Sequence, residues 1–75
     1  MSIPSENHPA WSQLITGELE IKSTKVAVNM LIHNSRVKYK DDPSPANLVT
    51  LAKHIHGVFT KYGAVYSAEL HQIFT

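Results

Sequence analysis

The chain has no cysteine, only three glycines and one tryptophan, and its seven Lys and Arg are nearly offset by six Asp and Glu. Each scarcity excludes something. Without cysteine there are neither disulfides nor thiolate metal sites. A formal net charge of +1 is too small to hold nucleic acid by bulk attraction, so any basic function must be local. Gly17, Gly57 and Gly63 stand apart, which excludes a Gly-rich phosphate cradle and the Gly-x-Ser-x-Gly turn of a serine nucleophile. No strictly apolar run exceeds three residues, as in Met30-Leu31-Ile32, far below the roughly 20 residues that cross a bilayer. The opening MSIPSENHPAW lacks the basic start, apolar middle and small-residue cleavage site of a secretory signal. A cytoplasmic protein with no membrane segment is expected.

The 75 residues form one expected domain, 1–75, with 1–7 frayed. A domain of this size buries only about 60–65% of the surface its unfolded chain exposes. Such domains commonly gain stability by oligomerising or by very regular helix packing.

What is present is helical periodicity. Pro9 suits a first helical position, and Trp11, Leu14 and Ile15 recur at i, i+3, i+4 before Gly17, which predicts a short helix over 9–16 with Trp11 as a lid on the core. The Gly- and Pro-free stretch 18–40 reads as the long central helix, with Thr16 as its cap, Glu18 and Glu20 in its first turn and Lys38 and Lys40 in its last. Its apolar residues also alternate with period two, so the alternative is an α+β fold with a β-meander over 18–40 followed by two helices. Asp41-Asp42-Pro43-Ser44-Pro45 ends that stretch. A helix over 45–62 then presents Leu48, Leu51, Ala52, Ile55, Val58, Phe59 and Tyr62 on one arc, and Gly63 closes it. Gly57 falls on its back. Tyr66, Leu70, Ile73 and Phe74 place a last helix over 65–74. The predicted fold class is therefore all-α, a small bundle of three to four helices over 9–16, 18–40, 45–62 and 65–74.

The central stretch carries two apolar stripes. Leu19, Ser23, Val26, Met30, His33 and Val37 share one line and are assigned to the protein's own core. Ile21, Val28, Ile32 and Tyr39 follow a similar spacing on the opposite side and are assigned to a partner or oligomer interface. A polar strip between them holds Lys22, Lys25, Arg36 and Lys40, which reads either as a solvated face or as a docking strip for phosphate or an acidic protein.

Histidine is the one residue type left that could carry chemistry. His54 and His56 point to opposite flanks of one helix, and no two of the five histidines have the i, i+4 spacing that chelates an ion. No metal, cofactor or catalytic residue is assigned. His33 is expected to bond at the core edge, with the others solvated. The 45–62 and 65–74 pair resembles a helix-turn-helix in outline, yet its second helix has no Lys or Arg with which to hold phosphates. The function expected is non-enzymatic: self-association, most simply as a homodimer, or binding to another protein through an apolar helix face. A nucleic-acid accessory role through the basic strip and a small metal or pigment carrier using histidines are the alternatives.

Overall fold

A computed structural model describes residues 2–21 and 24–74, apart from the side chain of Ala64. It is all-helical, with no strand among the described residues, which sets the meander aside. Helix α1 spans Pro9–Thr16, α2 Val26–Asp41, α3 Pro45–Lys61 and α4 Ala68–Phe74, with a 3-10 turn over Gly63–Val65. Among the described residues no helix is long and apolar enough to cross a membrane.

The cap chemistry explains most boundaries. At the start of α1, His8 lies outside the helix and its Nδ1 accepts from the Ala10 amide at 3.1 Å. Pro9 follows at N1, where its missing N–H is no loss. Gly17 closes the helix at φ 84°, its amide donating to the Gln13 carbonyl at 3.1 Å. Ser44 opens α3, with its Oγ accepting from the Asn47 amide at 3.2 Å. Ser67 does the same for α4, taking the Leu70 amide at 3.4 Å. The last helix therefore starts three residues later than its apolar spacing suggested.

Helix α2 is where the sequence misled. It begins at Val26, with Lys25 as an N-cap that makes no side-chain capping bond, and 18–21 is connector. Thr16 ends α1, its hydroxyl donating back to the Gln13 carbonyl, and it stands too far from Val26 to cap the second helix. Leu19 and Ile21 lie partly buried against the core, and the Thr24 amide donates to Glu69 Oε1 at 3.1 Å. These tertiary contacts override a helical propensity already weakened by β-branched Ile21, Thr24 and Val26. At the far end the expectation holds: Lys38 and Lys40 occupy the last turn, where the helix dipole favours them.

Trp11 sits at the centre of the core, not over it as a lid. It is 0% exposed, and its ring centroid lies 4.6 Å from that of Phe74 and 5.3 Å from that of Phe59. Its indole Nε1 donates to the Ser5 carbonyl at 2.9 Å, which satisfies the polar edge that burial would otherwise penalise. The same bond ties the Ser5 carbonyl to the core side chain of α1. Ile3 packs on the core and the Pro4 carbonyl meets His56 Nε2 at 3.0 Å. A carbonyl only accepts, so Nε2 carries the proton there. From the last helix, Leu70 and Phe74 fill the space beside Trp11 and Phe59, so the terminal apolar groups are covered by the body of the protein.

Candidate functional site: the outward side of α2 and the α2–α3 cleft

The two apolar stripes of α2 have the opposite roles to those predicted. Val28 is 0% and Ile32 4% exposed, both in the core, and Ile21 and Tyr39 pack partly buried against it. Of the four residues assigned to an interface, two are therefore in the core and two pack at its edge. Val26, Met30 and Val37, assigned to the interior, are 69%, 58% and 46% exposed. His33, on the same line, is exposed too. Leu19, predicted with them, lies on the connector before the helix, and Ser23 falls outside the described residues.

Arg36 supplies the physical reason. It lies one turn beyond Ile32 and two beyond Val28, so on a helix it shares their side. Its Nε donates to the Leu14 carbonyl at 2.6 Å and its Nη2 to the Leu19 carbonyl at 3.0 Å. Those carbonyls end α1 and start the connector, where helix geometry leaves acceptors without partners. Satisfying them turns the Val28/Ile32 side of α2 inward and leaves the Val26/Met30/Val37 side facing out.

This arrangement also takes Arg36 out of the basic strip. Arg36 spends its guanidinium on backbone carbonyls. Lys25 stands at the N-cap of α2 and Lys40 is exposed in its last turn, while Lys22 lies outside the described residues. The strip does not present Arg36 to a phosphate.

The histidines divide differently from expectation. His33 is exposed, not bonded at a core edge, and three others have structural tasks. His8 caps α1, His56 joins Pro4 and meets the Trp11 ring edge-on at 5.3 Å, and His71 Nδ1 is 3.0 Å from the Tyr66 hydroxyl. Burial pushes the Tyr66 phenol above its ordinary value of 10.0. Among the described residues no three His, Asp or Glu side chains come together as a metal-binding group.

A feature the sequence did not announce lies between α2 and α3. One hollow of about 350 Å³ has Leu31 and Leu51 on its floor and Lys38 and His54 at its sides. A second, about 390 Å³, shares His54 but lies on α3 alone, bounded by Gly57, Val58, Lys61 and Tyr62. Neither lining contains a carboxylate. Periodicity could have flagged Tyr62 and His54 as lying on one flank of α3, but Lys38 belongs to another helix, and only the tertiary fold brings it alongside.

Comparison with protein-family models, curated proteins and solved structures finds no match to this chain, so a functional reading rests on its own geometry.

Proposed function

We propose that the protein acts without catalysis, by self-association through the outward side of α2. The observation that carries this reading is the exposed line of Val26, Met30 and Val37. At 100° per residue the three fall within about 40° of one another, on the side of the helix opposite Val28 and Ile32. Removing such side chains from water contributes roughly 25 cal/mol per Å². An apolar line continued over three turns is more than scattered surface residues provide.

A second copy of α2 laid antiparallel matches this line. Met30 of one copy then faces Val37 of the other, so the apolar groups in the middle of the line meet apolar groups, while Val26 lies opposite Asp41 at each end. A two-fold pairing of this kind uses the same patch on both copies and closes at the dimer. The nucleic-acid alternative is weakened by Arg36, whose guanidinium is already bonded inside the protein.

The test is solution mass by sedimentation equilibrium from micromolar to millimolar protein. Wild type is expected to move from monomer to dimer, and Met30→Glu with Val37→Glu to remain a monomer of unchanged helicity. Ile32→Glu is the contrast, because it buries a charge in the core and should unfold the chain. A wild type that stays monomeric over the whole range overturns the reading.

A further inference from the structure

The cleft between α2 and α3 is a different surface from the outward line of α2. Its residues on α2 are Leu31, Asn34, Ser35 and Lys38; Leu31, Ser35 and Lys38 lie about 80–140° around the helix from Met30, and Asn34, about 40° away, marks the border between the two surfaces. Its polar groups sort into two kinds. The Ser35 hydroxyl donates to the Leu31 carbonyl and the Thr50 hydroxyl to the Ala46 carbonyl, each at 2.9 Å, so both are used within their own helices. Lys38, His54 and Lys61 are exposed, and the Lys61 ammonium lies 5.5 Å from the centroid of the Tyr62 ring. What the surface offers a visitor is therefore an aliphatic floor, with the exposed Tyr62 ring, the His54 imidazole and the Lys38 and Lys61 ammonium groups at its margin.

We propose that this cleft docks an acidic amphipathic helix of another protein. Leu51, at the buried floor, and the half-buried Val58 are two helical turns apart, as are His54 and Lys61, so one flank of α3 repeats an apolar position and a nitrogen-bearing one every seven residues, about 10 Å. A partner helix lying along α3 presents the complement: an apolar stripe at i, i+3/i+4 and i+7, with carboxylates about two turns apart accepting from a His54 ring N–H and the Lys61 ammonium. Lys38 holds the other wall. Charges at the margin set orientation and encounter rate, while the floor supplies the affinity. A nucleic-acid strand fits less well, since its phosphates would use the two lysines but leave the half-buried Leu31 and Val58 uncovered. Gly57 belongs to the same surface. A Cβ there would meet nothing within 4 Å, so the backbone lies open where a partner helix would rest.

The probe is a synthetic 16-residue helix-forming peptide with a Leu stripe flanked by Glu at seven-residue spacing, followed by fluorescence anisotropy at low salt. The same peptide with Lys in place of Glu, and a single-stranded oligonucleotide, are the controls. The acidic peptide is expected to bind. Lys38→Glu with Lys61→Glu should weaken it by about tenfold or more. Gly57→Leu should weaken it without unfolding the chain, because Leu is the better helix former and fills the hollow. Val37→Glu, on the outward line, should leave it unchanged. Failure of the acidic peptide to bind, equal binding of the basic peptide, tighter binding of the oligonucleotide, or indifference to the two lysine substitutions each overturns the proposal. The result is independent of whether the protein dimerises.

Discussion

Arg36 and Leu14 are joined across the α1–α2 boundary: the guanidinium Nε donates to the Leu14 carbonyl at 2.6 Å. The same side chain reaches the Leu19 carbonyl at 3.0 Å through Nη2. One residue in the middle of α2 thus closes the end of α1 and fixes the connector that follows. The fork shape of the guanidinium allows both bonds at once, which a point-charge ammonium does not.

Arg36→Met keeps an unbranched stem over the core but leaves both carbonyls without their donor. Hydrogen bonds to charged groups are worth about 1.5–3 kcal/mol each, and effects within one network do not add fully. The expected loss is about 2–3 kcal/mol of unfolding free energy, read from the urea midpoint. Arg36→Lys should recover only part of it. A change within about 0.5 kcal/mol would show that water replaces the guanidinium at no cost.

Arg36 also marks the limit of what sequence could reveal. Where an element was set by chemistry close in the chain, the sequence was legible. Ser44-Pro45 fixed the start of α3, Gly17 closed α1, and the arc from Leu51 to Phe59 was recognised as a buried face. The side of α2 that turns inward depended on bonds from Arg36 to residues 17 and 22 positions away. Both stripes of α2 were apolar, so periodicity alone had no means of ranking them. Trp11 is a similar case. Its burial was expected, but its central place depends on Phe74 and on a Ser5 carbonyl that receives its N–H. The α2–α3 cleft was invisible for the same reason, since Lys38 and His54 meet only after folding.

The glycines at 17 and 57 should respond to alanine with opposite signs. Both have open space where a Cβ would stand, so sterics do not separate them and the backbone does. Gly17 is at φ 84°, a left-handed conformation that an L side chain resists, and Gly17→Ala should cost about 1 kcal/mol. Gly57 is interior to α3, with no positive φ. Gly57→Ala should therefore gain about 0.5–1 kcal/mol by restricting the unfolded chain and improving helix propensity. Thermal midpoints of the two variants should fall on either side of wild type. Equal shifts would contradict the left-handed cap.

Tyr66 links stability to alkaline pH. Its phenol is held above 10.0 by burial, because the ionised form would leave charge beside Phe59 and Phe74, whose ring centroids lie 6.3 Å and 6.2 Å away. The folded state therefore keeps this proton to higher pH than the unfolded chain does. The sign follows: the contribution is fully present below the unfolded value of about 10, and is lost as pH rises from there through the folded value. Tyr66→Phe has no proton to lose. Its urea midpoint should start lower at neutral pH, since the hydroxyl no longer meets His71 Nδ1, and then decline less than that of wild type above pH 10. The difference in tyrosinate absorbance between wild type and Tyr66→Phe should show one phenol titrating late. Parallel declines of the two proteins above pH 10, with no late phenol in the difference spectrum, would show that Tyr66 ionises as freely in the fold as out of it.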